Sequence, residues 1–231
     1  MDILFQDPHL LIVNKPSGLL THRGWANDRD NALARARSIA GAYVYPAHRL
    51  DRATSGVLVF GLSQAIASAL GAQLEAGAFG KRYIALVRGI APESAVIDHP
   101  LSRLSDEEGR EAKTEDKQPA RTRIARAGSF ERYSLVLAEP ETGRSHQIRR
   151  HLKHISCPIL GDTRYGKGEH NRACRERFGL HRLALHAGAL AFEHPVSRER
   201  IAVIAAIPDD LAVPLEAMGL LEPARAILGA G

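Results

Sequence analysis

Short apolar runs that follow one another across tight turns are the feature of this sequence that most constrains its fold. Residues 3–6 and 10–14 are separated only by a Pro-containing turn, and residues 121–125 and 132–139 by one short segment. Strands joined in this way pair as antiparallel neighbours, whereas a doubly wound fold requires strands and helices that alternate regularly. We therefore expect an α+β fold in which helices flank a mixed, mostly antiparallel sheet.

The whole chain is expected to form one domain. Its 231 residues are 45% hydrophobic, which is enough for a sizeable core, and they show no repeat, linker or break in composition. We predict a single domain over residues 1–231, with no separate basic domain before the first strand. Apolar residues at four-residue spacing predict an amphipathic helix from residue 63 to 76. The charged segment 102–121 is predicted to be an exposed loop, and residues 222–231 a flexible end.

Charge and cysteine content indicate an intracellular protein with an acidic partner. The 31 Lys+Arg residues against 26 Asp+Glu give a net charge of +5, which suits a polyanion such as RNA. Cys157 and Cys174 lack C-x-x-C spacing, so no disulfide framework and no zinc site are indicated, and we expect no metal. The sequence has no signal peptide and no apolar run of about 18 residues. We expect a soluble, cytoplasmic protein that does not associate with membranes.

The segment His48–Gly56 places one carboxylate between two arginines at the entrance to an apolar strand. Asp51 is flanked by Arg49 and Arg52, and the apolar run Val57–Phe60 follows. Guanidinium groups favour the charged form of a neighbouring carboxylate and lower its pKa. The pattern indicates an anionic nucleophile rather than a general acid. The alternative is a structural salt bridge in a turn.

A second block, Gly143–Leu152, combines a turn with the start of a strongly basic helix. Within it, Arg149 neighbours Ile148 and Leu152, two members of the apolar stripe of that helix. The guanidinium of Arg149 is therefore expected to point toward the core, where it requires a carboxylate partner. Asp51 is the best candidate for that partner. The alternative is a solvated basic helix face that binds phosphate nonspecifically.

Together these two blocks resemble the RluA-type pseudouridine synthases. In that family the motif H-R-L-D-x-x-T-S-G carries the catalytic aspartate, which corresponds here to Asp51. The family motif K-x-Y matches Lys81-Arg82-Tyr83, and the motif G-R-x-H-Q-I-R matches Gly143–Arg149. Three further family motifs occur in the expected order, at Asn14–Gly18, Gly161–Gly166 and Leu185–Ala187. The resemblance spans residues 3 to about 208.

The resemblance implies an RNA pseudouridine synthase that needs no cofactor. Asp51 is implied to be essential, and attack at C1′, attack at C6 and deprotonation at C2′ all remain open. Tyr83 is implied to stack on the flipped uracil or to assist removal of the C5 proton, with an ordinary packing role as the alternative. Arg149 is implied to orient Asp51. The other residues implied to bind the RNA are Arg49, Arg52, Lys81, Arg144, His146, Gln147 and Ile148.

Two segments narrow the predicted substrate to tRNA. Residues 21–25 and 161–187 resemble the branch of the family that modifies uridine 65 of tRNA. The alternatives are a synthase for ribosomal RNA and a non-catalytic RNA-binding module, although the few aromatic residues disfavour the latter. A glycoside hydrolase requires two facing carboxylates. Asp162, the only other acidic residue in a motif, is predicted to lie in a turn, which disfavours that class of enzyme.

We expect a monomer. Four arginines are predicted to contact tRNA phosphates or else to form a solvated helix face: Arg172, Arg175, Arg177 and Arg182.

Overall fold

The computed structural model describes residues 1–22, 30–104 and 117–229 of the chain. Short strands dominate these residues, as the apolar runs predict. The strands are β1 (Asp2–Gln6), β2 (Leu10–Lys15), β3 (Tyr45–Pro46), β4 (Ser55–Gly61), β5 (Gly80–Arg88), β6 (Ser94–Asp98), β7 (Leu101–Ser102), β8 (Lys117–Gln118), β9 (Arg121–Phe130), β10 (Tyr133–Pro140), β11 (Leu185–Glu193) and β12 (Arg200–Ile204).

The helices begin and end at residues suited to those positions. The side chains of Asn31 and Ser63 accept hydrogen bonds from backbone N–H groups in the first turns of two helices, which satisfies donors that otherwise lack partners. Gly41 ends the first of these helices in the left-handed conformation that glycine adopts without strain. The helices are α1 (Ala32–Ala40), α2 (Gln64–Glu75), α3 (Gln147–His154), α4 (Gly168–Phe178), α5 (Asp209–Ala217) and α6 (Leu221–Gly229).

Contacts divide the chain into two compact units, the first of which comprises Met1–Lys81 and Ala187–Ala206. Its strands follow the order β1-β2-β4-β11, with β3 beside β4 and β12 beside β11. The pairs β1/β2, β2/β4, β3/β4 and β11/β12 are antiparallel. Strand β4 is buried along its whole length, in agreement with the apolar run that follows Asp51.

The core of the first unit packs helix α2 against these strands. Leu70 of α2 is fully buried in a cluster that includes Ile12 of β2 and Val59 of β4. The rings of Phe79 and Phe192 stack in the same cluster, with their centroids 4.7 Å apart. Because α2 presents an apolar stripe at helical spacing, its burial follows from the pattern that predicts it.

The second unit comprises Arg82–His186 and Ile207–Gly231. Its strands follow the order β5-β10-β9-β6, and every adjacent pair is antiparallel. Strand β10 lies opposite β5 with Ala138 beside Tyr83. Strands β7 and β8 form a separate two-stranded sheet. This unit carries helix α3, which contacts β10.

The predicted fold class is confirmed, whereas two predictions for individual segments are corrected. Residues 221–229 form helix α6 rather than a flexible end, because Leu221, Ala224 and Leu228 are buried along one side of it. The predicted exposed loop at 102–121 is too long at both ends, since β7, β8 and the start of β9 lie within it. Its central residues, 105–116, lie outside the described residues. A single domain stays a prediction.

None of the helices in the described ranges combines the length and the apolar character that crossing a membrane requires. Within the same ranges, no group of three or more His, Cys, Asp or Glu side chains could hold a metal ion. Cys157 and Cys174 are both buried free thiols.

Asp7 and His194 connect the turns of two hairpins in the first unit. Asp7, between β1 and β2, accepts hydrogen bonds at Oδ1 from the N–H groups of His9 (2.8 Å) and Leu10 (2.7 Å). Its Oδ2 lies 2.9 Å from Nε2 of His194, a buried residue between β11 and β12. Nδ1 of His194 accepts hydrogen bonds from two backbone N–H groups of its own turn. Each side chain therefore orders its own turn, and the contact between Asp7 and His194 connects the two turns.

We expect His194→Ala to lower the free energy of unfolding by about 1–3 kcal/mol, because two backbone hydrogen bonds of its turn are lost and each contributes about 0.5–1.5 kcal/mol. Combining it with Asp7→Ala should lower the free energy by less than the sum of the single changes, since the two side chains share one contact. Urea unfolding of the two single variants and the double variant measures both effects. A His194→Ala variant as stable as the wild type would show that this contact is unimportant.

Candidate active site

Asp51 lies in the turn that leads into strand β4. The N–H of Thr54 donates to the Asp51 carbonyl at 3.0 Å, and Asp51 itself is half-buried. Gly56, at the start of β4, has a φ of +117°, and a Cβ at that position would collide with the backbone of Ala187. Only glycine fits such a conformation and such a close approach. The glycine of the T-S-G motif and the alanine of the L-H-A motif therefore meet at the backbone.

A fully buried lysine holds the same turn. Nζ of Lys15 donates to the carbonyl groups of Leu19 at 2.7 Å and Arg52 at 3.3 Å. The hydroxyl of Ser17 donates to the Ala53 carbonyl at 2.7 Å. A buried ammonium needs such acceptors, because it has left its hydration shell. The segment Asn14–Gly18, which the sequence marks as a family motif, thus fixes the backbone on the C-terminal side of Asp51.

The two arginines that flank Asp51 are both exposed. Nε of Arg52 donates to the carbonyl of Gly18 at 3.0 Å, so this side chain connects the Asp51 turn to the Lys-Pro-Ser-Gly turn. Arg49 presents its side chain at the surface of the first unit. RNA binding by Arg49 and Arg52 stays a prediction.

His48 begins the motif as a neutral imidazole. Its Nε2 accepts a hydrogen bond from the N–H of Val59 at 3.3 Å, so that nitrogen carries no proton. Burial and, to a smaller extent, the charge of Lys81 lower the pKa of His48 from 6.5 to about 4, and a backbone hydrogen bond with Arg49 opposes both effects. Burial also lowers the pKa of Lys81.

The low pKa of His48 predicts a loss of stability in mild acid. The unfolded chain binds a proton at this imidazole below about pH 6.5, whereas the folded protein does so only below about pH 4. Stability should therefore fall as the pH drops through that interval, by at most about 3 kcal/mol. We expect His48→Gln to remove this part of the loss. Urea unfolding at pH 7 and pH 4.5 tests it, and identical pH dependence in both proteins would contradict it.

In the second unit, Arg149 of α3 forms a buried ion pair with Asp162. Nε and Nη2 of Arg149 donate to Oδ2 and Oδ1 of Asp162 at 2.8 and 3.1 Å. Arg149 is 8% exposed and Asp162 1%. The predicted burial of Arg149 against the core is therefore confirmed, and the carboxylate that meets its Nε and Nη2 is Asp162. Pairing of Arg149 with Asp51 stays a prediction.

Asp162 is anionic despite its burial. Burial alone would raise its pKa, but hydrogen bonding to Arg149, the charge of Arg149 and the N–H groups of Tyr165 and Arg164 outweigh it and lower the pKa below its ordinary value. Both N–H groups donate to Oδ1 at 2.9 Å. The predicted turn is present, and the same carboxylate also fixes the guanidinium of Arg149.

Tyr165 connects this ion pair to His146. The Tyr165 hydroxyl lies 3.1 Å from Nδ1 of His146, and the Arg149 guanidinium carbon lies 5.1 Å from the centre of the Tyr165 ring. His146 has a φ of +53° immediately before helix α3, a conformation that residues other than glycine rarely adopt. Such backbone strain is typical of functional sites. Tyr165, which the sequence does not single out, therefore helps to orient two of the predicted site residues.

Gln147 connects elements of the second unit through its side-chain amide, and its contact with RNA stays a prediction. Its Oε1 accepts from the hydroxyl of Thr142 at 2.6 Å and from the N–H of Arg144 at 3.0 Å. Its Nε2 donates to the Arg121 carbonyl at 3.0 Å and to the Thr122 hydroxyl at 2.9 Å. Two donors and two acceptor sites are the full capacity of an amide, so Gln147 connects α3 to β9.

The remaining predicted site residues of the second unit differ in exposure. Ile148 is 6% exposed, and the half-buried Arg144 donates from Nε to the carbonyl of Pro119 at 3.0 Å. Tyr83 on β5 is half-buried. RNA contacts by Arg144, Ile148 and Tyr83 stay predictions.

A comparison with known protein families finds a match that includes both sequence blocks, His48–Gly56 and Gly143–Leu152. The family model described as RNA pseudouridylate synthase matches residues 9–154, which include both Asp51 and Arg149. The chain belongs to that family. The predicted enzyme class, an RNA pseudouridine synthase, is thereby confirmed.

Relatives of this synthase cover almost its whole length. tRNA pseudouridine synthase C of Pasteurella multocida (strain Pm70) is 41% identical over 222 residues, which cover 90% of this chain and 91% of the relative. The protein of the same name from Vibrio parahaemolyticus serotype O3:K6 is 40% identical over 224 residues, with 90% and 91% coverage. The solved structure of Human RNA Pseudouridylate Synthase Domain Containing 4 matches with a TM-score of 0.77 and 26% identity, covering 94% of this chain and 93% of the human one.

Two of the four arginines predicted to contact phosphates in this synthase are already engaged by the protein. Arg182 is buried and donates to the carboxylate of Asp210 at 2.8 Å and to the carbonyl of Leu185 at 3.1 Å. It stabilises the second unit instead of facing RNA, which corrects the prediction. Arg177 forms a two-point ion pair with Glu131 at the surface. Arg172 and Arg175 are exposed, and phosphate contact by them stays a prediction.

The predicted site residues of this synthase belong to both compact units. Arg49, Asp51, Arg52 and Lys81 lie in the first, and the others in the second. Sequence reasoning missed the side chains that hold them, namely Lys15, Asp162 and Tyr165. Each of these lies in a segment that the family resemblance includes, which is the signal that could have identified them. Of the segment 21–25, residues 23–25 lie outside the described part of the chain.

Proposed function

We propose that this synthase converts one uridine of tRNA, at position 65, to pseudouridine, with Asp51 as its essential catalytic residue. The observation that carries the proposal is the 41% identity to tRNA pseudouridine synthase C over 90% of the chain. Identity at that level over nearly the whole length supports a shared substrate as well as a shared reaction. The net charge of +5 suits the phosphate backbone of a tRNA.

The reaction is an isomerisation that requires neither redox chemistry nor energy input. The N1–C1′ glycosidic bond of the uridine breaks, the uracil rotates, and a C5–C1′ bond forms. The proton on C5 leaves, and N1 gains one. The Asp51 carboxylate takes part by attack at C1′, by attack at C6 or by removing the C2′ proton.

The surroundings of Asp51 suit a carboxylate that must be held in one position. Lys15, Ser17 and Thr54 bind three successive backbone carbonyl groups from residue 51 to 53. Each bond restricts the turn before substrate arrives, and preorganisation of this kind reduces the entropy lost on reaching the transition state. The fully buried strand β4 anchors the end of the turn.

The target uridine must leave its stack to reach Asp51, which costs a few kcal/mol. Stacking on an aromatic side chain returns about 1–3 kcal/mol per base. Tyr83, a half-buried residue, is the one that we assign to this contact.

Tritium release from tRNA that contains uridine labelled at C5 tests the reaction, because the C5 proton is lost only when the base rotates. We expect wild-type protein to release tritium equivalent to one uridine per tRNA. A transcript with cytidine at position 65 should release none. No release from either transcript would refute the activity, and equal release from both would refute the position.

We further infer that the protein acts as a cytoplasmic monomer. The proposed substrate, tRNA, supports the location. Light scattering of the purified protein tests the oligomeric state, and a particle of twice the 25.1 kDa chain mass would refute a monomer.

A further inference from the structure

A single hydroxyl group binds both backbone polar groups of the residue that precedes Asp51. Oγ1 of Thr21 donates to the Leu50 carbonyl at 2.9 Å and accepts from the Leu50 N–H at 3.1 Å. Thr21 and Leu50 are each at most 4% exposed. A hydroxyl can donate one hydrogen bond and accept others. The Thr21 hydroxyl therefore satisfies both backbone polar groups of Leu50, as the backbone of a paired strand would.

Thr21 is itself fixed by helix α1. The N–H of Leu33 donates to the Thr21 carbonyl at 2.9 Å, and the N–H of Ala32 donates to the Leu20 carbonyl at 2.8 Å. The first turn of the helix thereby uses N–H groups that have no partner inside the helix. Hydrogen bonds thus run from α1 to Thr21 and from Thr21 to Leu50, whose peptide bond leads directly to Asp51.

This arrangement completes the restraint of the Asp51 turn. Lys15 and Ser17 hold the carbonyl groups of Arg52 and Ala53, which follow Asp51. Only Thr21 among the described side chains is seen to bind the backbone of Leu50, which precedes Asp51. A backbone that is fixed on one side alone can still rotate about the other, so the position of the carboxylate depends on both.

We propose that Thr21 is a positioning residue for Asp51: its hydroxyl fixes the Leu50 backbone and so sets the position of the catalytic carboxylate. The inference rests on the proposed role of Asp51. Reacting groups tolerate little displacement, and a shift of about 1 Å can lower a rate by about a hundredfold. Loss of the hydroxyl should therefore lower kcat without weakening the binding of tRNA.

The variants Thr21→Val and Thr21→Ser separate the hydroxyl from the shape of the side chain. Valine replaces the hydroxyl with a methyl group of similar size, whereas serine retains the hydroxyl. We expect kcat of Thr21→Val to fall by about ten- to a hundredfold, with the Kd for tRNA changed by less than about twofold. Thr21→Ser should retain most of the wild-type kcat. Hydrogen exchange at the Leu50 amide should accelerate in Thr21→Val and not in Thr21→Ser.

Ser134 provides a matched control in the second unit. Its buried hydroxyl donates to the Gly89 carbonyl at 2.9 Å and accepts from the Ala91 N–H at 3.0 Å, so like Thr21 it binds one backbone carbonyl and one N–H, here on two residues. Ser134→Ala should destabilise the protein as Thr21→Val does, yet retain kcat at a temperature where both variants are folded. Equal loss of kcat in the two variants would overturn the proposal.

Other outcomes distinguish this inference from the proposed function. Wild-type turnover by Thr21→Val, or no better turnover by Thr21→Ser than by Thr21→Val, overturns the role of Thr21 alone. Normal turnover by Asp51→Ala overturns the catalytic assignment on which the inference rests. Unchanged exchange at the Leu50 amide in Thr21→Val would show that the hydroxyl does not hold this backbone, whatever the activity.

Discussion

Asp51→Ala should abolish turnover, with a decrease of at least about a thousandfold in kcat, while tRNA binding stays within about threefold of the wild type. The decrease is large because no other group can make the covalent bond or take the proton that the reaction requires. Binding is retained because affinity for RNA comes mainly from contacts between basic side chains and phosphates. Single-turnover assays with tritiated tRNA and filter binding measure the two quantities.

Asp98→Ala is the control for the loss of one carboxylate. Asp98 is an exposed residue at the end of β6, and its removal changes the net charge by the same amount. Its turnover should match the wild type. If Asp51→Ala also turned over normally, the assignment of the catalytic residue would be wrong. If Asp51→Ala lost tRNA binding to the same extent as turnover, the role of Asp51 would be binding and not chemistry.

Arg149→Met should lower both stability and activity. The guanidinium meets a fully buried carboxylate through two hydrogen bonds of 2.8 and 3.1 Å, and removing it leaves the Asp162 charge without that partner. Loss of one member of a buried ion pair typically costs about 3–5 kcal/mol. Activity should fall in the fraction that remains folded, because the family resemblance implies that Arg149 orients Asp51. Urea unfolding and turnover below the melting temperature measure the two effects.

Two further variants separate charge from position. Arg149→Met combined with Asp162→Asn should recover part of the lost stability, since no buried charge remains unpaired, but should not recover turnover. Arg177 also makes two hydrogen bonds to one carboxylate, that of Glu131, but this ion pair is exposed. Arg177→Met should therefore change stability little, because solvent screens the pair. If Arg149→Met and Arg177→Met were equally stable, the buried pair would not support the fold.

The general architecture could be predicted because its signals are local. The four-residue spacing between 63 and 76 predicts α2, which spans Gln64–Glu75. The short turns between apolar runs predict the antiparallel pairs β1/β2 and β9/β10. The sequence does not predict helix α6, because the position of residues 222–231 at the end of the chain favours a flexible segment. The burial of Leu221, Ala224 and Leu228 depends on contacts that sequence position does not reveal.

The parts of the site that could not be predicted involve side chains with two simultaneous roles. Asp162 satisfies the turn pattern completely, so the sequence gives no reason to seek its second partner, Arg149. Lys15 is fully buried, although lysine almost never is unless it is paired. Gln147 belongs to a binding motif, yet its amide is fully used within the protein. In each case the deciding contact joins residues that are distant in sequence or in different elements.

Carbodiimide mapping of pseudouridine in total RNA, from cells with and without this gene, tests the central claim most directly. The account predicts that deletion removes a single signal, at position 65 of tRNA, and that a plasmid carrying the wild-type gene restores it while Asp51→Ala does not. Loss of signals in ribosomal RNA alone would contradict the tRNA substrate. An unchanged map would contradict the proposed activity.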